Sequence, residues 1–182
     1  KNRREAKDYF LKLEQKLKAE GIKVHTTREP SGGPIGLLIR QALGKRVHGR
    51  EGKKLDSYAL QLLFSTDRKD HLVHEVEPRL ETGVWVVSDR YDLSTLAYSK
   101  QGVTEAEFAT LRLINGLYRR PDLTVFVDTS AEEAMRRVAQ RGQEREIFEM
   151  LEFQKAVIAM YKELLIDYPN VVIVNGEQSI DR

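Results

Sequence analysis

Cysteine is absent from the 182 residues, which excludes disulfides, thiolate metal centres and cysteine nucleophiles and fits a reducing compartment. Charge of one sign is not in excess either. Thirty Lys and Arg stand against 28 Asp and Glu, a formal net charge of +2, whereas a nucleic-acid surface is usually built on a concentrated basic stripe. Long apolar runs are missing as well. No window approaches the roughly 20 residues of a bilayer-spanning helix, and no basic, apolar and small-residue signal pattern opens the chain. Histidine is scarce, and His25, His48, His71 and His74 show no metal-ligand spacing. His71 and His74 lie three apart on a helix, but further ligands are lacking, so all four read as structural or surface residues.

What is present is 41% hydrophobic and 32% charged residues, the composition of a soluble globular protein long enough to bury one core. A single domain over residues 1–182 follows. Ala6, Phe10, Leu13 and Leu17 recur at helical spacing until Gly21 stops them. The pattern then predicts a short strand over 22–26, a loop rich in glycine, and a helix over 35–43 that ends at Gly44. A basic connection, 45–54, precedes one long helix over 55–80, which Pro78 bends or ends. Further strands are expected at 84–87, 123–127 and 171–174, with helices at 104–117, 131–141 and 148–166. Such alternation implies a parallel sheet covered by helices on both faces. A sheet of that kind normally opens on a strand, yet this chain opens on a helix without an initiator methionine. We therefore expect a strand and its loop to precede Lys1 in the native gene product.

Four groups of residues carry chemistry. Asp89-Arg90-Tyr91 closes an apolar strand, where a carboxylate and a planar guanidinium can hold a magnesium ion and a phosphate together. The plain alternative is a surface salt bridge. Thr27-Arg28-Glu29-Pro30 ends the earlier strand in a rigid turn followed by glycines and then Arg40, either loop punctuation or a close backbone approach to a ligand with a second cation beside it. On the long helix Leu55, Tyr58, Ala59, Leu62 and Leu63 share a face, while Phe64 and Arg68 fall roughly 180° and 220° around at about 100° per residue. Such a pair can stack on a planar base and grip its phosphate; the alternative is ordinary core for Phe64 and a solvated charge for Arg68. Ser94, Thr95 and Tyr98 add hydroxyls beside the proposed phosphate site. Ser94 is expected to cap the short helix, and Tyr98 to pack against a sugar and reject an extra hydroxyl. Arg141 and Arg145 flank a charged turn, 141–147, that is either solvated surface or a lid stabilising a phosphoryl group in flight.

The stretches T-R-E-P at 27–30, L-L-F-S-T-D-R at 62–68, D-R-Y-D-L-S-T-L-A-Y at 89–98 and R-P-D-L-T at 120–124 resemble the thymidylate kinase family, over about 24–178. The resemblance implies a three-layer P-loop fold with a five-stranded parallel sheet, phosphoryl transfer from ATP to dTMP with Mg2+, a cytoplasmic location and a homodimer, with the apolar stripe of the long helix in its seam. Neither nucleic acid nor a membrane is an implied partner. Phe64 would stack on thymine, and Arg68 with Arg40 would bind the dTMP phosphate. Arg90 would reach between that phosphate and the transferred group, and Asp89 would act on the metal through water. Tyr98 would sit by the deoxyribose with Thr95 nearby, Glu29 and Pro30 would shape the acceptor side, and Gln154 would approach the base. Arg145 and Arg141 would be lid arginines, and 175–178, with Glu177 and Gln178, would lie against adenine. Two departures stand out: the Gly-Lys-Ser/Thr phosphate loop does not occur in these residues, and Ser31-Gly32-Gly33-Pro34 replaces the more usual Gly-Gly-Thr. Another pyrimidine nucleotide or deoxynucleoside kinase, or a non-catalytic nucleotide-binding module, are the alternatives.

Overall fold

The computed structural model describes the backbone of residues 3–139 and 147–178 and the side chains of residues 11–137 and 151–178. The chain divides into two compact units, one made of residues 10–118 and the other of residues 1–9 and 119–182. Helix α1 (Arg3–Ala19) opens the chain and stops at Gly21, whose φ of +79° is open to glycine at little cost. Strand β1 (Val24–Arg28) follows, then helix α2 (Pro34–Leu43), with proline in its first turn and Gly44 at its end.

The expected long helix is three pieces: α3 (Ser57–His71), a π turn (Leu72–Val76) and α4 (Glu77–Glu81). Asp56 caps α3 by accepting the Ala59 N–H at 2.9 Å. The break lies upstream of Pro78, because a proline ring collides with the carbonyl four residues before it. That carbonyl belongs to His74, inside the widened turn.

Strand β2 (Trp85–Asp89) pairs parallel with β1, with Val24 opposite Trp85 and Arg28 opposite Asp89. Helices α5 (Asp92–Ser99) and α6 (Glu105–Gly116) complete the unit. Thr104 and Glu107 form a capping box on α6, an arrangement in which each partner satisfies one orphan N–H. Ile39, Leu72, Leu93, Leu96, Phe108 and Leu111 are buried here, and a fully buried side chain of this size contributes roughly 1.5–3 kcal/mol.

The apolar stripe is not the buried face of α3. Tyr58, Leu62 and Leu63 are only half-buried and Ala59 is exposed, while Gln61, Ser65, Arg68 and His71 are buried. The neighbouring segments supply polar partners on that side, so a hydrogen-bonded seam replaces an apolar one. Ser94 does not cap α5 either. Asp92 already lies inside that helix, Tyr91 is its N-cap, and the Ser94 N–H donates to the Tyr91 carbonyl at 3.0 Å.

In the second unit β3 (Thr124–Asp128) leads to α7 (Ala131–Ala139), then α8 (Ile147–Leu165) and β4 (Val171–Asn175). Strands β3 and β4 pair parallel, Thr124 opposite Val171 and Asp128 opposite Asn175. Ala131, Met135, Val157, Met160 and Leu165 are buried. The described residues thus form an α/β fold of parallel strands and crossover helices. They make two sheets of two strands each in place of one five-stranded sheet, because the four strands they contain pair only as β1 with β2 and β3 with β4.

Candidate active site

The C-terminal ends of β1 and β2 are tied together beyond their register, since the Glu29 N–H donates to the Asp89 carbonyl at 3.1 Å. The chain then turns through a cis Glu29–Pro30 bond into a loop held from two sides. Buried Asp67 on α3 accepts the Ser31 N–H at 2.7 Å and the Ser31 hydroxyl at 2.6 Å. Arg40 on α2 donates to the Pro30 carbonyl at 3.0 Å and the Ser31 carbonyl at 2.5 Å. Gly36 permits this closeness: a Cβ there would stand 2.2 Å from the Ser31 carbonyl oxygen.

Arg68 is 1% exposed. Its Nε and Nη2 donate to one oxygen of Glu29 at 3.0 and 2.5 Å, and Nη2 also donates to the Thr95 hydroxyl at 3.1 Å. Nη1 donates to the Asn115 carbonyl oxygen, and the Asn115 amide donates to the Leu111 carbonyl at 2.7 Å. The Tyr91 ring lies 4.9 Å from the guanidinium carbon. Two loop segments and two helices, α5 and α6, therefore converge on one cation of α3.

Arg90 adopts φ of +74°, a left-handed conformation that costs a side-chain-bearing residue about 1–2 kcal/mol. The Ser88 hydroxyl donates to its carbonyl at 2.9 Å, and its guanidinium carbon lies 5.2 Å from the Tyr98 ring centre. Asp89 is half-buried, and among the described residues its carboxylate has no ion-pair partner. Phe64 is half-buried on α3.

Behind Glu29 lies His71, 2% exposed. Its Nε2 is 2.8 Å from the Thr27 hydroxyl and 3.7 Å from Glu75, and its Nδ1 is 3.5 Å from the second oxygen of Glu29. Burial works against its protonation, but Glu29, Glu75 and Asp67 together outweigh burial and raise its proton affinity above the ordinary imidazole value. Burial likewise pushes Glu75 up, yet the hydrogen bonds from His25 and Thr27 and the His71 charge leave its carboxyl below the usual range.

In the second unit a cleft of about 440 Å³ opens at the C-terminal ends of β3 and β4, lined by Asp128, Ser130, Lys162, Asn175 and Glu177 among others. Gly176 crosses against the end of β3, its N–H on the Asp128 carbonyl at 2.7 Å, where a Cβ would meet the Thr129 hydroxyl at 2.1 Å. Glu177 accepts the Ser130 N–H at 3.2 Å, and Arg137 donates to the Gly176 carbonyl at 2.9 Å. Gln178 is exposed and Gln154 half-buried on α8. Arg141 and Arg145 lie outside the described residues.

A family model described as thymidylate kinase matches residues 9–182. The chain belongs to the thymidylate kinase family. Its similarity extends to a probable thymidylate kinase of Thermococcus gammatolerans, 36% identical over 164 residues, which are 89% of this chain and 78% of the relative. A probable thymidylate kinase of Pyrobaculum aerophilum is 39% identical over 149 residues, 82% of this chain and 71% of the relative. A thymidylate kinase of Chromohalobacter salexigens is 40% identical over 135 residues, 73% and 62% of the two chains.

Set against the thymidylate kinase expectation, Glu29, Pro30, Arg40, Arg68, Asp89, Arg90, Thr95 and Tyr98 all fall in the first unit, joined through the contacts just described. Gln154, Glu177 and Gln178 fall in the second. The chemistry of Asp89 fits magnesium, since Mg2+ is commonly held by one or two carboxylates plus substrate phosphates and not by a protein cage. Among the described residues no group of three or more His, Asp or Glu is placed to hold a metal. Sequence reasoning gave no role to Ser31, Asp67 or Asn115, named Tyr91 without a role of its own, and read His71 as structural or surface. A signal for the seam existed: Gln61, Ser65 and Arg68 repeat at four and three residues, the period of one helix face.

Proposed function

We propose that this member of the thymidylate kinase family transfers the γ-phosphoryl group of ATP to the phosphate of dTMP, giving dTDP. The observation that carries the reading is the joining of Glu29, Arg68, Asp89 and Arg90 at the edge of one parallel pair, inside a chain whose family is thymidylate kinase. Two phosphates must be brought in line against their repulsion, which at 4 Å is about 4 kcal/mol per pair of unit charges at an effective dielectric of 20. Arginine offsets it with a fork of donors matched to phosphate oxygens. Arg68 and Arg40 take the acceptor phosphate and Arg90 bridges toward the transferred group. For Arg68 this means exchange: most of its N–H groups are already engaged by Glu29, Thr95 and Asn115, so an acceptor phosphate competes with Glu29. Arg40 holds the loop of Pro30 and Ser31 and brings its charge to the same edge. Phe64 stacks on the base, Gln154 approaches it, and Tyr98 packs by the deoxyribose under the cover of Arg90. Asp89 holds the magnesium, which when bound neutralises phosphate charge.

The same reading completes a five-stranded sheet as one kinase domain, with Arg141 and Arg145 in the 141–147 lid and the 175–178 segment, including Glu177 and Gln178, against adenine. Exposed Leu113 on α6 and Leu117 just past its end, 73% and 84% accessible, support a homodimer through helices. The cytoplasmic assignment rests on the absence of cysteine, and no helix among the described residues is long and apolar enough to cross a membrane. A coupled assay of the full gene product with ATP, Mg2+ and each of dTMP, UMP, CMP and AMP tests the proposal. Turnover concentrated on dTMP is expected, and equal rates with all four overturn the substrate assignment.

A further inference from the structure

Asp67 is fully buried on α3, yet the reaction as described gives it no task. Both of its oxygens go to one residue: Oδ2 accepts the Ser31 N–H at 2.7 Å and Oδ1 accepts the Ser31 hydroxyl at 2.6 Å. Arg40 meets the same stretch from the other side, its Nη1 donating to the Pro30 carbonyl at 3.0 Å and the Ser31 carbonyl at 2.5 Å. The Pro30 carbonyl and the Ser31 N–H belong to a single trans peptide group, in which they point in opposite directions. One peptide plane is therefore held between a carboxylate and a guanidinium. We propose that Asp67 is a positioning residue for the acceptor phosphate and acts through this peptide to orient Arg40. The inference rests on the reading that Arg40 receives that phosphate.

Three features of the geometry carry it. The two hydrogens of the Arg40 Nη1 are taken by the two carbonyls, which fixes the guanidinium plane. The Nε and Nη2 edge is left without an acceptor among the described residues, and that edge is a fork that matches two oxygens of a phosphate. Donation of the Ser31 N–H to a carboxylate polarises the shared peptide and makes the Pro30 carbonyl a stronger acceptor for Arg40. The Ser31 hydroxyl adds a second arm, because it donates to Asp67 and accepts the Gly33 N–H at 3.1 Å. The loop cannot rotate about Ser31 without breaking both arms, and the carbonyls that aim Arg40 would turn with it.

Calorimetry of dTMP and thymidine binding to the full-length protein separates positioning from plain charge and from plain folding. Asp67→Asn keeps the size of the side chain but offers Ser31 one acceptor oxygen in place of two. Removal of a negative charge would by itself tighten the binding of a phosphate dianion, whereas a misplaced Arg40 weakens it. Asp67→Asn is expected to weaken dTMP binding at least about tenfold, the scale of one hydrogen bond to a charged group, and to leave the affinity for thymidine, which has no phosphate, unchanged. In an Arg40→Ala background the same change has no further effect on dTMP, the full coupling of a double-mutant cycle. Equal losses for dTMP and thymidine, a loss that persists without Arg40, or dTMP binding as tight as wild type or tighter each overturn the inference and leave the substrate reading standing. An Arg40→Ala protein that binds dTMP like wild type removes Arg40 from the phosphate, and the inference with it. No dTMP binding by wild type overturns the substrate reading itself. Should Asp67→Asn fail to fold, Ser31→Ala removes the hydroxyl arm alone and is expected to weaken dTMP binding in the same Arg40-dependent way; affinity equal to wild type then overturns the inference.

Discussion

At the scale of single residues, burial decides what a charge can do. Arg68 and Glu29 are 1% and 5% exposed, so deleting one strands the other without water or countercharge. Arg68→Ala therefore costs about 3–5 kcal/mol of stability, the usual penalty for breaking a buried pair, measured by urea denaturation. The loss in Arg68→Met with Glu29→Gln is smaller than the sum of the single changes. Arg90 presents the opposite case. Its left-handed backbone is a local cost to folding, so Arg90→Gly holds or raises the melting temperature while turnover of dTMP falls at least about 100-fold, the scale of losing one charge-stabilising donor. A parallel loss of both properties would show that Arg90 is structural. Glu133 illustrates a charge whose setting is local: Arg136, with Arg137 behind it, holds its carboxyl down to about 2. The two arginines reach it from one helical turn away.

At the scale of elements, loop and helix at the candidate site are a single construction. The α2 backbone passes so close to Ser31 that a methyl group at position 36 would overlap its carbonyl. Gly36→Ala must push the Pro30–Ser31 turn away from Arg40 and Asp67, at a cost of about 1–3 kcal/mol for the overpacking. Acceptor affinity falls with it, which a dTMP titration measures; unchanged stability and affinity would contradict the packing. Elements were also where the sequence was most readable. Helices α2, α6 and α8 and all four strands lie within about two residues of their expected bounds, because periodicity and glycine or threonine punctuation are local signals. The long helix was misread in its continuity, and its buried polar face was not foreseen. Its π turn depends on how one carbonyl avoids Pro78, and its buried face is polar because Glu29, Thr95 and Asn115, distant in sequence, supply the partners. Hydrophobic pattern alone assigns such a face to solvent. The motif residues Glu29, Arg68, Asp89 and Arg90 were legible, whereas Ser31, Asp67 and His71 gain meaning only from contacts that no spacing rule reveals.

At the scale of the whole molecule, the buried histidine couples stability to pH. The proton affinity of His71 is raised in the folded state, so the native protein holds a proton that the unfolded chain gives up near the ordinary imidazole value of about 6.5. That contribution is complete below this value and is lost as pH rises through the higher folded value. Glu75 has the reverse sign. Its lowered carboxyl contributes above the ordinary carboxylate range and is lost on acidification through its folded value. Urea midpoints measured across this range decline on the alkaline side in wild type, and His71→Gln removes that decline. A midpoint in wild type that does not fall as pH rises above the ordinary imidazole value would contradict the assignment.

The polar seam of α3 also governs how this sequence can drift. Each buried member is matched to a partner in a different segment: Asp67 to Ser31, Arg68 to Glu29 and Asn115, His71 to Thr27. An apolar replacement at any one position leaves an orphan elsewhere, so substitutions survive there in concert or hardly at all. Libraries that randomise these positions singly will return almost nothing but the parent. Libraries that randomise them jointly will recover a small set of alternative, internally consistent networks.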